Sequence, residues 1–388
     1  MRRAFKFRLW TDENQERELE TMLETHRRLY NICLDYRKLA YEIYKATISY
    51  ADCSRWFKHE QGVNPFFARL NFSSAQATMR RLDKAYVAFF RRVKAGEKPG
   101  FPRFKGRDRF NSIEFPAYGD GIKLNGERLR VQNVGTVRVK LHRSIEGKIK
   151  TVTLIREADK WYVVFSCDLG DVKVEPSTNP AVGIDVGLTS FLTTDTGEKE
   201  PNPRYLKTAL PKLRRKQRSL SRKKRNGKNR RKARKQVART HARVANLRRE
   251  HHHQTALKLV RRYGFIAVES LSIDELLKND RLSRAISDVA WGNFVLTLRS
   301  KAESAGVEFV EVNARGTTQE CSACGQVVPK DLFQRWHSCN CGCSLDRDEN
   351  AARNILARGL LARTGPVGLN VAENRKRAPR SPRVHAGE

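Results

Sequence analysis

The chain opens with a strict alternation of apolar and charged positions. Phe5, Phe7 and Leu9 take every second place, with basic residues between them, and this period of two predicts a half-buried β-strand. From Leu19 to Tyr36 the apolar residues recur every three or four positions, which predicts an amphipathic helix. Helical patterning continues in pieces to about residue 94, so the strand is followed by a predicted group of helices.

The period returns to two between residues 110 and 170. Short apolar runs alternate there with glycine-containing turns, and short strands at regular spacing predict a small β-barrel. Because the first strand has the same period, we expect it to belong to this barrel, with the helices of residues 12–95 as an insertion. Residues 96–105 and 171–180 lack a period and are predicted to be a basic loop and a linker.

Strands and helices alternate in the second half of the chain, which predicts an α/β arrangement. The expected strands are Ala181–Val186, Phe191–Thr194, Phe265–Glu269 and Val307–Val312, and the expected helices cover about residues 291–305 and 348–361. Between the second and third of these strands, residues 207–249 hold 20 Lys/Arg and no acid. Their sparse apolar stripe predicts long, highly basic helices that face phosphates, with a merely solvated charged face as the alternative.

Net charge narrows the choice of partner. The 388 residues include 77 Lys/Arg against 42 Asp/Glu, a formal charge of +35. The excess argues against a membrane protein, a disulfide scaffold and a compact enzyme for a small neutral metabolite. A partner rich in phosphates is the simplest explanation, and a ribosomal-type basic protein is the alternative.

Compartment is predicted from the cysteines and the chain's start. Five of the eight Cys fall within residues 321–343, a clustering typical of a metal site in a reducing cell interior. No apolar run approaches the roughly 18 residues of a membrane span, and the N-terminus lacks the apolar region of a signal peptide. We therefore predict a cytoplasmic protein.

Three acidic positions are candidates for catalysis. Asp185 and Glu269 each end an apolar strand, and Asp348 lies in the segment Asp346-Arg-Asp-Glu-Asn350 that opens a helix. A charge on an apolar strand is costly unless it is paired or binds metal. Three converging carboxylates can hold two Mg²⁺ ions about 3.5–4 Å apart and hydrolyse a phosphodiester. Ordinary caps and salt bridges at strand ends are the alternative.

The cysteine cluster predicts a structural zinc site. Its first pair has the Cys-x2-Cys spacing of a tetrahedral site, and three further Cys compete for two places after a 14-residue gap. His337 is a fifth candidate ligand, and Cys343 can replace one of the later cysteines. The predicted zinc ligands are Cys321, Cys324, Cys339 and Cys341.

The other cysteines and a histidine run are predicted to be structural. Cys33, Cys53 and Cys167 stand singly in apolar segments and are expected in the core. His251–His253 are adjacent residues, which point in different directions on a helix, so we predict a surface position for them.

Taken together, these motifs make the chain resemble the TnpB family of transposon-encoded, RNA-guided nucleases, which are related to type V CRISPR effectors. The resemblance extends to about residue 360. The matching segments are FRLWTDENQ and LYNICL near the start, KPGFPRFK at 98–105, GIDVG at 183–187, AVESL at 267–271, TTQECSACG at 317–325 and CGCSLDRDENAARNIL at 341–356. One departure concerns the zinc motif, since Ser338 stands where the family's third Cys would fall if Cys341 is the fourth.

The resemblance implies an α+β multidomain fold and a role for each candidate. Asp185, Glu269 and Asp348 would be the carboxylates of a RuvC-type, RNase H-like active site, while the role of Asp346 is left open. The implied domains are a wedge-type β-barrel (1–10 and 106–178), a helical recognition insertion (11–105), a RuvC nuclease domain (179–316 and 344–362), a zinc ribbon (317–343) and a disordered basic tail (363–388).

The expected function is that of an RNA-guided, Mg²⁺-dependent DNA endonuclease. Its expected partners are a guide RNA from the transposon end, target double-stranded DNA and the displaced single strand. Three alternatives are a nuclease-silent RNA-guided DNA-binding regulator, a DNA strand-transfer transposase and a Holliday-junction resolvase. The regulator predicts damaged carboxylates, and the resolvase needs neither the helical insertion nor the zinc ribbon.

Overall fold

A computed structural model describes residues 1–171, 174–331 and 333–364. The chain divides into two compact units, residues 1–172 and 173–388. Each unit is described by itself. The predicted tail begins at residue 363, but the last helix runs to Thr364, and residues 365–388 lie outside the described part of the chain. None of the helices in the described ranges combines the length and the apolar character that a membrane crossing needs.

The first unit is built on a seven-stranded antiparallel sheet that is nearly closed. Its strand order is β2-β6-β7-β1-β5-β4-β3, so the first strand lies in the middle, as its period predicted. The strands are β1 (Arg2–Trp10), β2 (Ser112–Phe115), β3 (Ile122–Asn125), β4 (Arg128–Val131), β5 (Gly135–Lys140), β6 (Lys148–Glu157) and β7 (Lys160–Asp168). The sequence pattern did not predict β2, although its Ile113 and Phe115 have the same spacing as the apolar residues of β3 and β4.

Four helices follow β1 and precede β2 in this unit. They are α1 (Glu13–Tyr44), α2 (Tyr50–Val63), α3 (Pro65–Ala68) and α4 (Phe72–Lys94). α1 begins where it does because Asp12 and Gln15 form a capping box, in which each side chain accepts the other residue's backbone N–H. The apolar side chains of β1 are buried in a core shared with the helices. Cys33, Cys53 and Cys167 are buried in that core, as predicted.

The second unit contains a five-stranded sheet of mixed direction. Its order is β10-β9-β8-β11-β12; β9 is antiparallel to both β8 and β10, whereas β11 runs parallel to β8 and β12 parallel to β11. The strands are β8 (Ala181–Val186), β9 (Ser190–Thr194), β10 (Lys199–Pro201), β11 (Phe265–Ser270) and β12 (Glu308–Asn313), with a separate hairpin of β13 (Trp336–Ser338) and β14 (Ser344–Asp346).

In the described part of this unit, six helices accompany the sheet. They are α5 (Tyr205–Ser221), α6 (Lys228–Arg262), α7 (Ile273–Leu276), α8 (Ser283–Val289), α9 (Trp291–Ala305) and α10 (Arg347–Thr364). The basic helices predicted in residues 207–249 are α5 and α6, and α9 has the predicted bounds. The main core lies between the sheet, α6 and α9, while a smaller apolar cluster joins the opposite face to α10. The assignment of these parts to functional domains stays a prediction.

Candidate active site and metal centre

Asp185 and Glu269 lie near the carboxyl ends of two adjacent parallel strands. β8 and β11 pair so that Ile184 is opposite Val268, and each carboxylate is the next residue along. Side chains alternate between the faces of a strand, and Ile184 and Val268 face the main core. Asp185 and Glu269 therefore point to the other face, on which α10 packs.

Two glycines allow α10 to lie close to that face. A Cβ on Gly183 would overlap the carbonyl oxygen of Ala352 and lie 2.7 Å from the Leu356 nitrogen. A Cβ on Gly359 would lie 2.6 Å from that of Ala267. Since neither glycine has a side chain, the helix backbone approaches β8 and β11 directly. This brings Asp348, in the first turn of α10, to Asp185 and Glu269.

Burial and mutual repulsion make this carboxylate group unusual. Burial, followed by the charges of Glu269 and Asp348, raises the pKa of Asp185 well above its ordinary range, and the nearby Arg347 only partly opposes the rise. Burial raises the pKa of Glu269 to about 7, against the opposing effect of hydrogen bonds with Asp185 and the Val186 backbone. A hydrogen bond between two carboxyl groups needs a proton on one of them. A divalent cation could take the place of that proton.

The oxygen atoms of the three carboxylates are spaced more widely than the sulfur atoms of the cysteine cluster. Among the described residues, the sets of three or more ligand atoms within 4.8 Å of one another both fall in the cysteine cluster, so the three carboxylates are spread more widely. Oxygen ligands of this kind are those that Mg²⁺ prefers.

Asp346 has a role that the sequence left open, because it caps α10. Its Oδ1 accepts the backbone N–H groups of Asp348 (2.9 Å) and Glu349 (3.4 Å), and its Oδ2 accepts a hydrogen bond from Lys199 Nζ at 2.7 Å. The cap fixes the first turn of the helix, which carries Asp348. Asp346 is thus a positioning residue for the candidate site.

We expect Asp346→Ala to reduce DNA cleavage by about 10–100-fold without abolishing it, the usual cost of removing a group that orients a metal ligand. The lost cap should also lower the free energy of unfolding by about 0.5–2 kcal/mol. Asp346→Asn keeps an acceptor oxygen and should have the milder effect. Single-turnover cleavage rates of the three proteins measure this, and equal rates for Asp346→Ala and the unchanged protein would contradict it.

We expect Gly183→Ala to lower the free energy of unfolding by about 1–3 kcal/mol, because the new Cβ overlaps the backbone of α10. Gly292→Ala is the matched control. It lies in α9, its Cβ would meet Ile273 Cγ1 at an ordinary 3.6 Å, and alanine favours a helix over glycine. Chemical denaturation of both variants is the measurement, and similar losses in the two would show that α10 does not restrict this position.

The sulfur atoms of the cysteine cluster are spaced as a tetrahedral zinc site requires. Zn–S bonds of about 2.3 Å place neighbouring sulfurs about 3.8 Å apart. The Sγ atoms of Cys321 and Cys341 are 3.6 Å apart, as are those of Cys324 and Cys339. All four lie within 4.8 Å of one another. The cluster can therefore hold a metal ion such as zinc with the four predicted cysteines.

A second, overlapping set consists of Cys321, Cys343 and His337. His337 is fully buried, and its Nδ1 faces the Nζ of Lys330. An ammonium group has donors only, so Nδ1 accepts and the ring proton lies on Nε2, where it blocks coordination. The Lys330 contact therefore favours the four-cysteine set, with His337 beside the metal ligands.

The Cys321 thiol loses its proton more readily than an ordinary cysteine. Burial alone would raise its pKa, but hydrogen bonds from the backbone of Cys324 and Ala323, and from the side chains of His337 and Cys341, outweigh burial and lower the pKa to about 5. The thiolate is the form that binds zinc. Cys321 belongs to both overlapping sets, so either set depends on it.

Two asparagines of α10 connect the cysteine cluster to the carboxylates. Asn350 is fully buried; its amide donates to the Glu320 carbonyl at 2.7 Å, and its Oδ1 accepts from the Ser322 N–H at 2.9 Å. Asn354 donates to the carbonyls of Thr317 and Glu320 at 2.9 and 2.7 Å. The segment that carries Cys321 thus holds the helix that carries Asp348.

A positively charged cavity opens beside the end of β8. It has a volume of about 580 Å³, and its lining includes Leu188, three residues after Asp185. The cationic residues in its lining are Arg204, Lys207, Arg281 and Arg284, and the acidic ones are Asp280 and Asp288. Together with the basic helices α5 and α6, these cationic side chains form a candidate surface for a polynucleotide backbone.

Asp288 stabilises this region in a way that the sequence did not indicate. Its carboxylate accepts the Leu206 N–H at 2.9–3.0 Å and the Lys207 N–H at 3.3 Å, and it pairs with Arg248 at 2.8 Å. Arg204, which precedes α5, provides no side-chain cap. Asp288 on α8 therefore caps α5 from another helix, and only tertiary structure shows this.

The prediction that His251–His253 lie at the surface is wrong for His252. That side chain is buried, its Nε2 is 3.0 Å from the Val289 carbonyl oxygen, and its ring stacks on Phe191. Burial lowers the pKa of His252 to about 4. The C-terminal part of α6 packs one face against the main core. The many charged residues of α6 make this apolar face difficult to recognise in the sequence.

Three family models match parts of the chain. They are described as "Probable transposase" over residues 164–280, "Cas12f1-like, TNB domain" over residues 291–355 and "Helix-turn-helix domain" over residues 1–45. In the structure, residues 1–45 form β1 and the single helix α1, so this segment by itself does not form a helix-turn-helix.

Relatives match along nearly the whole chain. A Streptomyces pristinaespiralis protein named "Putative RNA-guided DNA endonuclease" is 33% identical over 390 residues, which cover 98% of this chain and 95% of the relative. "Putative RNA-guided DNA endonuclease InsQ" of Escherichia coli (strain K12) is 28% identical over 379 residues, 92% of each chain. The solved "mini-RNA-guided endonuclease CRISPR-Cas_phi3" aligns over 92% of each chain with 10% identity and a TM-score of 0.47, a likeness too weak to support an argument.

Proposed function

We propose that this chain, which belongs to the TnpB family of transposon-encoded, RNA-guided nucleases, cleaves target DNA with Asp185, Glu269 and Asp348 as its catalytic carboxylates. The observation that carries the proposal is their convergence. Two parallel strands and the start of α10 bring together three acids that are far apart in the sequence. The charges of Glu269 and Asp348 raise the pKa of the buried Asp185, as expected for acids that are held together to bind a cation.

The three carboxylates fit a pair of divalent ions. Their donors are all oxygen, and a cation between them would remove the repulsion that raises the pKa of Asp185. When bound there, Mg²⁺ ions supply an activated water and stabilise the leaving 3′ oxygen of a phosphodiester. The chain's own part is to hold the carboxylates in place through Asp346, Gly183 and Gly359, on a sheet face covered by α10.

Strand order supports an RNase H-like (RuvC) assignment of the second unit. Three antiparallel strands are followed by two parallel ones, in the order β10-β9-β8-β11-β12, and the acids lie on the central β8 and its parallel neighbour. The segment 317–343 interrupts the unit between β12 and α10. We propose that it is a zinc ribbon held by Cys321, Cys324, Cys339 and Cys341, with a structural role because four sulfur ligands leave no open position.

The cationic surface supports binding of a guide RNA and target DNA. Residues 207–249 hold 20 Lys/Arg and no acid, on α5, on α6 and in the segment between them, and four cations against two acids line the cavity beside β8. Phosphate contacts hold a strand without reading its sequence. Base pairing with the RNA would therefore choose the target, as in other guided effectors.

Strand transfer by a transposase is the second candidate, because the model that matches residues 164–280 is described as a transposase. RNase H-like sites can perform either reaction. A nuclease-silent regulator is less well supported, since all three carboxylates are present and adjacent.

The deciding experiment isolates the protein with its bound RNA from cells that carry the element, sequences that RNA and adds a plasmid with the matching target. We expect a discrete RNA from the transposon end and a guided double-strand break with Mg²⁺. Joined transposon ends would establish strand transfer instead. Guided binding without cleavage would show that the chain is a nuclease-silent regulator. Recovery of random cellular RNA would show that it binds nucleic acid only through non-specific charge.

A pH dependence of metal binding follows from the raised pKa values. The metal-free fold is more stable when Asp185 and Glu269 are protonated, because their pKa values are raised in the fold. This stabilisation is fully present below pH 3.8 and 4.5, the ordinary pKa values of the two side chains. It is lost as the pH rises through about 7, the pKa of Glu269 in the fold. Mg²⁺ competes with these protons. We therefore expect Mg²⁺ to raise the melting temperature more at pH 8 than at pH 6.

Thermal unfolding with and without Mg²⁺ at the two pH values tests this prediction. The double variant Asp185→Asn/Glu269→Gln is the control, because it cannot titrate at these positions and should show little response to Mg²⁺ at either pH. If Mg²⁺ raised the melting temperature of both proteins equally, the metal would bind at a site other than Asp185 and Glu269.

A further inference from the structure

The C-terminal halves of α1 and α4 carry exposed aromatic side chains that have no role in the proposed active site. The buried residues of α4 end at Leu82, yet its apolar stripe continues at helical spacing through Tyr86, Phe90 and Val93. Phe90 is 60% exposed and Val93 49%. Tyr86 still packs against the edge of the core, but beyond it this end of α4 keeps the apolar face of a core helix with Phe90 and Val93 exposed.

A loop adds two more rings to this face. Phe101 and Phe104 are 44% and 48% exposed. Phe101 contacts Tyr86 and Phe89 edge to face, with ring centroids 5.6 and 5.2 Å apart, while Tyr86 stacks with Phe90. We call Tyr86, Phe89, Phe90, Phe101 and Phe104 the aromatic surface.

The loop is held against α1, so the rings have defined positions. The backbone N–H of Lys105 donates to Asn31 Oδ1 at 2.8 Å, and the Lys105 carbonyl accepts from Asn31 Nδ2 at 3.1 Å and from Arg27 at 2.8 Å. Lys38 on α1 also lies over the ring of Phe104, 5.6 Å from its centroid. Rings that are ordered in advance lose little freedom when a ligand stacks on them.

The surroundings of the aromatic surface are cationic. Residues 91–105 contain six Lys/Arg and one acid, Glu97. An exposed apolar patch of this kind marks a binding site. A second copy of the chain would bring two sets of like charges together, whereas a polynucleotide offers phosphates to the cations and flat bases to the rings.

We propose that the aromatic surface binds unpaired RNA, with bases stacked on Phe90 and Phe101 and phosphates against the neighbouring cations. The choice of RNA over DNA rests on the proposed function. A guide RNA is the resident partner and can cover exposed rings for the lifetime of the protein, whereas target DNA binds only transiently.

Binding of a labelled 12-nucleotide oligoadenylate RNA to the full-length chain tests the stacking. Because the chain is so basic, the readout is the dependence of Kd on salt. Phe90→Leu keeps an apolar side chain but removes the ring, and it should weaken binding about 5- to 100-fold, the usual value of one stacked base. The slope of log Kd against log salt should stay unchanged, since no phosphate contact is lost. Arg91→Gln/Arg92→Gln should reduce that slope.

Two controls make the binding result decisive. An abasic strand of the same length should bind the original chain and Phe90→Leu equally, since it has nothing to stack. Phe333→Leu removes another exposed ring, which is 94% exposed and lies outside the aromatic surface, and it should leave Kd unchanged. Equal losses from Phe333→Leu and Phe90→Leu, or a Phe90→Leu loss that persists with the abasic strand, would overturn the proposal.

Ultraviolet crosslinking of the protein purified with its own RNA identifies the occupant. We expect nucleotides of that RNA on the peptides that contain Phe90 and Phe101. Crosslinks to added target DNA alone, or self-association that Phe90→Leu abolishes without any RNA crosslink, would overturn the proposal in favour of DNA or of a second copy. The test is independent of cleavage, so a chain that binds RNA here but never cuts would refute only the proposed function.

Discussion

Asp185→Asn is expected to reduce guided DNA cleavage by at least about 10³-fold, while RNA and target binding stay within about twofold. The substitution preserves size but removes the charge of a buried acid that has Glu269 and Asp348 as neighbours in the proposed metal site. Losing one preorganised electrostatic group commonly costs 10²- to 10³-fold in rate, and losing a metal ligand should cost more. Single-turnover cleavage of a matched plasmid, beside filter binding of RNA, is the measurement.

Stability gives the same prediction a second readout. Because burial disfavours the charged form of Asp185, the metal-free Asp185→Asn protein should be at least as stable as the unchanged chain at pH 8. Asp195→Asn is the matched control. Asp195 lies in the same unit, and its Oδ1 accepts the Gly183 N–H at 3.0 Å, which an amide oxygen can also do. Cleavage that survives Asp185→Asn, or that is lost equally in Asp195→Asn, would refute the active-site assignment.

Cys321→Ser is expected to release the metal of the cysteine cluster and to reduce cleavage by about a hundredfold. Cys321 belongs to both overlapping ligand sets, and Asn350 and Asn354 tie its segment to α10. Without zinc this segment should lose its order, since structural zinc sites contribute strongly to folding. Asp348 would then be displaced, and a shift of about 1 Å at a catalytic group can cost about 10²-fold.

Cys343→Ser is the control for the cysteine cluster. The four-cysteine set excludes Cys343, so this variant should keep one equivalent of zinc and nearly full activity. Zinc content by mass spectrometry and cleavage rate should be measured on both variants. Loss of zinc from Cys343→Ser would assign the site to the Cys321, His337 and Cys343 set. A zinc-free Cys321→Ser protein that still cleaves DNA at the normal rate would show that the active site does not depend on the cysteine cluster.

Local periodicity was sufficient to predict the elements that bury one face. The alternation of Phe5, Phe7 and Leu9 predicted a strand of the barrel, and the apolar spacing in residues 291–305 predicted α9 with its observed bounds. β2 was missed although its Ile113 and Phe115 alternate as the apolar residues of β3 do. His252 was misplaced because lysine and arginine dominate α6 and obscure the short stretch that faces the core.

Some residues of the candidate site could be recognised from the local sequence, whereas others could be recognised only from tertiary contacts. Asp185 and Glu269 could be predicted because a carboxylate at the end of an apolar strand is rare and costly. Asp288 and Asn350 could not, since their partners Leu206 and Glu320 lie 82 and 30 residues away. No local pattern records contacts of that separation. The link between the cysteine cluster and α10 became visible only once the chain was folded.

The dispersal of the three acids along the chain has a consequence for protein synthesis. Residues 185 and 269 can pair as soon as β8 and β11 have formed, but residue 348 is made last and joins them only when α10 docks over Gly183. A ribosome that stalls before that point releases a polypeptide with both basic helices but without Asp348, the third of the proposed catalytic carboxylates. Under the proposed function, we expect such a product to bind nucleic acid without cleaving it.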